Sequence, residues 1–104
     1  MITIKPIKRS DELVGFEISG HANFAPYGSD IVCAAVSVMS INTVNSLTEL
    51  AKADVDFVRQ EGGGYMKFTV KRLDEGSKLL LASAMLGYDA IADMYDRHVM
   101  VDKS

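Results

Sequence analysis

From Asp30 to Leu50 the chain reads DIVCAAVSVMSINTVNSLTEL, and no charged residue stands between Ile31 and Thr48. Ala34, Ala35, Val36, Val38, Met39, Ile41, Val44, Leu47 and Leu50 spread around nearly the whole circumference of a helix. A stripe that wide predicts burial on more than one side. A membrane span is the competing reading, because the run is long enough to cross a bilayer. Ser37, Ser40, Asn42, Thr43, Asn45, Ser46 and Thr48 make it too polar to face lipid. The expectation is therefore a helix buried within protein, with no membrane as partner.

Outward from this helix the period changes from 3.6 to 2. Ile2 and Ile4 alternate with Thr3 and Lys5, and Val14, Phe16 and Ile18 alternate with Gly15 and Glu17. These read as two strands joined at the polar RSDE turn. Pro6 suggests an edge or a strand end. On the other side, ADVDFVRQ and YMKFTVKR form a second strand pair around the glycines of EGGG. No lysine-serine ending follows those glycines, so a phosphate cradle is not indicated. DEGSKLLLASAMLGYDAIADMYDRH is a second helix, with Asp74 or Ser77 as cap and Gly87 as a point of close packing. HVMVD closes as a short strand. The order is strand-strand-helix-strand-strand-helix-strand, an α+β fold with a mixed sheet and two long helices on one or both faces. Its 104 residues predict one domain, 1–104.

Composition narrows the function classes. The net charge is −3, which argues against a direct grip on nucleic acid. The single cysteine, Cys33, forms no internal disulfide and suits a reducing cytosol. The amino terminus lacks the apolar core of a signal peptide, so the expected location is cytoplasmic. One Cys and two His do not make a zinc spacing, and no cofactor is implied. Glu12, Asp54, Asp56 and Glu61 read as solvated charges, and His98 as a partly exposed structural residue.

Chemistry concentrates between residues 20 and 37, in GHANFAPYGSDIVCAAVS. If Ser29 or Asp30 caps the helix, Cys33 falls in its first turn, where free amides and the helix dipole favour a thiolate. His21 stands across a loop of Ala22, Asn23, Phe24, Ala25, Pro26, Tyr27, Gly28 and Ser29. Such a loop could bring the imidazole over the helix start and order around a substrate, and Gly28 gives it backbone freedom. The imidazole would then share the thiol proton and later protonate a leaving amine. Asp30, Cys33 and Ser37 fall in one narrow sector of the helix. From the residues alone, other roles stand beside these. Cys33 can be a small buried hydrophobe, His21 a solvated loop residue, Asp30 a cap, and Ser37 a hydroxyl bonded back to its own helix.

The two-part motif resembles the ribosomal-processing cysteine protease family, Prp. Gly20, His21 and Ala22 match its G-H-A, and Gly28, Asp30, Ile31, Val32, Cys33, Ala34 and Ser37 match its G-x-D-I-V-C-A-x-x-S. Element order, glycine turn and length agree over nearly the whole chain. The resemblance implies an endopeptidase that removes the N-terminal extension of a bacterial large-subunit ribosomal protein (ribosomal protein L27 type), cutting after a pair of aromatic residues. It implies His21 and Cys33 as a catalytic dyad, Asp30 and Ser37 as supporting residues, residues 22–29 as a mobile substrate loop, and a homodimer. A non-catalytic module that binds a ribosome-assembly intermediate is the alternative. A thiol peroxidase would need no peptide groove, and no resolving cysteine exists.

Overall fold

The computed structural model describes residues 1–20, 26–61 and 64–104, and for residues 26–30 the backbone alone. Along the chain run β1 (Ile2–Arg9), β2 (Glu12–Gly20), α1 (Pro26–Glu49), β3 (Val55–Arg59), β4 (Tyr65–Val70), α2 (Glu75–Met94) and β5 (Val99–Val101). The five strands form one mixed sheet in the order β3-β4-β2-β1-β5. That order does not follow the chain. Strands β1 and β2 pair antiparallel, as do β3 and β4, and β2 joins the two hairpins by pairing with β4. The last strand, β5, lies parallel to the first. Ser10 and Asp11 both take positive φ (54° and 66°), which closes the first hairpin in two residues.

Period-2 alternation decides which face is covered. Ile4, Phe16, Phe68 and Val70 point to one face and are fully buried with Val36, Leu47, Leu81 and Tyr88 from the helices. The rings of Phe16 and Tyr88 meet edge-on, with centroids 4.8 Å apart. The opposite face carries Lys5, Glu17 and Lys67 in cross-strand register, an alternation of charge suited to water. Both helices therefore share one face, and the fold has two layers. Pro6 lies inside β1, which has neighbours on both sides. Pairing with β5 ends at Ile4, so the missing N–H of Pro6 interrupts no ladder on that side.

The expected start of the first helix is corrected. It begins at Pro26, so Pro26 to Ser29 are helical backbone and Asp30 is not a cap. A proline fixes φ near the helical value and lacks an N–H that the first turn would leave unpaired, so it is favoured at this position. The expected burial on more than one side holds for the sheet and for α2, while part of the circumference stays outward. Val32, Val36, Ser40, Thr43 and Leu47 are buried, whereas Ile31, Ala34, Val38, Ile41, Asn42 and Asn45 face outward. Ile31–Glu49 is long and apolar enough to cross a membrane by length and composition (mean hydropathy 1.5), but one side of it packs on the sheet.

In α2, Asp74 is the cap. Its carboxylate accepts from the Ser77 amide at 2.8 Å, and its own amide donates to the Ser77 hydroxyl at 2.9 Å. Hydrogen bonds from the Ser77 amide and then the Ser77 side chain hold the Asp74 carboxyl below its ordinary range. Where the helices cross, a Cβ on Gly87 would stand 2.5 Å from the Met39 sulfur, so glycine admits that side chain.

Candidate active site

At one end of the sheet β1 begins, β2 and β3 end and β4 begins, and α1 passes over this end. Between them lies a cleft of about 210 Å³ lined by Cys33, Ser37 and Ser40 from the helix and by Gly20, Arg59 and Met66 from the strands. Ile2, Ile18 and Val36 make its walls largely apolar. A larger hollow of about 540 Å³ lies among Pro6, Lys8, Leu13, Met85 and the C-terminal Lys103 and Ser104, and none of these residues carries a thiol. Chemistry rather than volume therefore singles out the smaller cleft.

Cys33 is half-buried and packs against the core cluster. It does not stand in the first turn. The helix starts seven residues earlier, about two turns away, so the amides flanking Cys33 lie inside the helical ladder. Free amides at the helix start therefore cannot act on the thiol at that position. Ser37, one turn beyond Cys33, is exposed in the cleft, and its hydroxyl makes no hydrogen bond with the described residues. The back-bonding role is taken one turn later. Ser40 donates to the Val36 carbonyl at 2.8 Å and lies 2.7 Å from the Tyr88 hydroxyl. Burial pushes the Tyr88 phenol up to about 12, against a smaller opposing effect of the Ser40 bond. This contact fixes α1 against α2 just behind the cleft.

Gly20 supplies the other wall. Its φ of +93° is a left-handed conformation, and a Cβ there would run into the Met1 carbonyl oxygen. Its amide donates to the Gly64 carbonyl at 3.0 Å, which ties the end of β2 to the start of β4. The motif glycine thus has a physical reason. His21, Ala22, Asn23, Phe24 and Ala25 lie outside the described residues, as do the side chains of Pro26, Tyr27, Gly28, Ser29 and Asp30. Cys33 and Ser37 are the two expected site residues that the described side chains bring together. Residue-level reading missed Ser40, Tyr88 and Arg59. A serine seven residues after Cys33 on the same helix was the available signal for the first.

His98 is half-buried, and its Nδ1 has no partner among the described residues. Its carbonyl accepts from the Ile2 amide at 2.8 Å, a structural tie between the last strand and the first. No group of three His, Cys, Asp or Glu able to hold a metal ion is found among the described residues.

Comparison with known proteins agrees over nearly the full length. The family described as Cysteine protease Prp matches residues 1–100. The ribosomal processing cysteine protease Prp of Bacillus subtilis is 32% identical over 102 residues, covering 91% of each chain. The crystal structure of SMU.848 from Streptococcus mutans superposes with a TM-score of 0.88 at 38% identity, covering 99% of this chain and 93% of that one. The Staphylococcus aureus processing protease Prp, crystallised with a covalently linked product peptide, has the same fold: TM-score 0.88, 23% identity, full coverage of both chains. The family match spans both the strand that ends at Gly20 and the helix that carries Cys33, and on its length and the Bacillus relative this chain belongs to the cysteine protease Prp family.

Proposed function

We propose that Cys33 and His21 form the dyad of a cytoplasmic cysteine endopeptidase that removes the N-terminal extension of a large-subunit ribosomal protein of the L27 type. The observation that carries this reading is the only thiol of the sequence, half-buried in the wall of a cleft that Gly20, the residue before His21, also lines. The His21 imidazole takes the thiol proton, and the Cys33 sulfur attacks the scissile carbonyl. The proton then passes to the leaving amine as the C–N bond breaks. Water, deprotonated by the imidazole, cleaves the thioester and frees the thiolate. Ser37, with its hydroxyl unengaged in the cleft, is a candidate donor to the oxyanion, and Asp30 a candidate to orient the imidazole. The name of the Bacillus relative supports ribosomal processing as the substrate context.

The test is incubation of the protein with a peptide spanning the extension, read by mass. Cleavage is expected after an aromatic pair and is expected to vanish in Cys33→Ala and His21→Ala. Cleavage at the wild-type rate by Cys33→Ala removes the mechanism. Tight binding with no cleavage by the wild type favours the non-catalytic binding module.

The same reading includes a homodimer. The outer face of α1 shows Ile31, Val38 and Ile41, and that of α2 shows Leu79, Leu86 and Met94, with Val38 67% and Leu86 73% exposed. This apolar helical layer carries Asn42 and Asn45 rather than charge on α1, the make-up of an interface. Tyr88 cannot take part, since it is fully buried in its own core.

A further inference from the structure

Among the described residues one charged side chain lines the cleft that holds Cys33: Arg59, the last residue of β3. Its cross-strand partner is Met66. Direct partners point to the same face of a sheet, so Arg59 stands on the side of the helices, and Met66 packs into the core beside it. The Arg59 side chain has no ion pair or hydrogen bond with the described residues, a state it shares with Lys5, Lys8, Lys52, Lys67, Arg72 and Arg97, but of these it alone lines the cleft. Arg9 donates to the carbonyls of Val70 and Lys71. Lys71, Lys78 and Lys103 all meet carboxylates. Arg59 is exposed, so an unpaired guanidinium borders a cleft whose other described lining residues carry no charge.

We propose that Arg59 is a specificity-determining residue that binds a carboxylate of the peptide lying beside Cys33. The proposal rests on the reading of this cleft as the peptide site. The planar fork of the guanidinium matches the two oxygens of a carboxylate. The whole chain carries −3 and repels acidic ligands in general, so the preference is local to the cleft. Two sources can supply the group. One is an acidic side chain of the substrate near the scissile bond. The other is the carboxylate that hydrolysis itself creates, when water adds to the thioester carbonyl, the C–S bond breaks and the new acid loses its proton.

The test uses internally quenched peptides with an aromatic pair, in which Asp, Asn or Lys is placed in turn at each flanking position. For a side-chain source, the wild type cleaves the Asp peptide about tenfold better than the Asn peptide at one position, the scale of a charge-assisted hydrogen bond. That ratio falls to about one in Arg59→Gln, and Lys becomes preferred in Arg59→Glu. For a product source, the released fragment inhibits the wild type about tenfold more tightly as a free acid than as its C-terminal amide, and the difference disappears in Arg59→Gln. The same comparisons by fluorescence anisotropy, with Cys33→Ala and Cys33→Ala/Arg59→Gln proteins, need no turnover. Absence of cleavage then counts against the protease chemistry alone. Ratios near one in both wild-type series, or ratios that persist in Arg59→Gln, overturn the role of Arg59.

Discussion

Two glycines of β2 are held for different reasons. Gly15 sits in the middle of the sheet, where a Cβ would strike the Phe68 carbonyl oxygen of β4. Gly20 ends the strand with φ +93° and leaves no room beside the Met1 carbonyl. A Gly20→Ala change combines a left-handed alanine with that crowding. It is expected to destabilise by roughly 2–3 kcal/mol and to reduce cleavage beyond what the lost stability explains, because the wall beside Cys33 shifts. Denaturant unfolding together with cleavage rates checks both parts, and a wild-type unfolding midpoint rejects the first. Cys33→Ala, by contrast, is expected to move the midpoint by about 1 kcal/mol or less while ending cleavage, since alanine suits a helix interior. Cys33 stood out in the sequence as its single thiol, and the structure places it in the wall of the cleft, whereas His21, its proposed partner, lies outside the described residues. Arg59 did not stand out, because its role depends on which face of the sheet a five-residue strand turns toward the helices. In β3, Asp56 and Val58 alternate with Val55, Phe57 and Arg59 without a clear apolar face, so the pattern alone gave no direction.

Helix α1 meets helix α2 through a buried hydroxyl pair. Tyr88 and Ser40 lie 2.7 Å apart, and Ser40 also donates to its own helix. Burial raises the Tyr88 phenol from 10.0 to about 12, so the folded protein holds this proton more tightly than the unfolded chain. Its contribution is complete below about pH 10 and is lost as the pH rises through 10 to 12. Tyr65 acts in the same direction, because its phenol donates to Glu17 at 2.6 Å. Stability against denaturant is therefore expected to fall steeply across that window. Tyr88→Phe is expected to lose about 1 kcal/mol at neutral pH and to flatten part of the alkaline fall. An unchanged alkaline slope in Tyr88→Phe counts against the buried phenol as its source. The helices themselves were legible from their period, and the cap of α2 only as Asp74 or Ser77, of which the structure uses Asp74. The start of α1 was not. A loop over residues 22–29 places Pro26 outside the helix, yet the same residue fits the first position of a helix, and local sequence cannot choose between those roles.

As a whole the protein is two layers, with one sheet face in water and an apolar helical layer outward. Val38 and Leu86 stand on that layer at 67% and 73% exposure. Sedimentation over a hundredfold dilution is expected to show twice the chain mass for the wild type, and a shift toward the single chain for Val38→Asp or Leu86→Asp. A single-chain mass throughout refutes the homodimer. At this scale the fold class was legible, because strand and helix periods alternate cleanly along the chain. The order across the sheet was not, since the β2–β4 pairing and the parallel return of β5 depend on partners far apart in sequence.

That return of β5 has a practical side. Ile2 lines the cleft, and the Met1 carbonyl crowds Gly20, so anything joined ahead of Met1 emerges at the mouth of the candidate site. The other terminus leaves elsewhere. Lys103 binds Asp89 of α2 at 3.1 Å, and Ser104 lies in the hollow with Pro6 and Lys8 rather than in the cleft with Cys33. A purification handle or fluorophore thus belongs after Ser104. The same group fused in front of Met1 would compete with peptide for the entrance, and an enzyme prepared that way would look slower than it is.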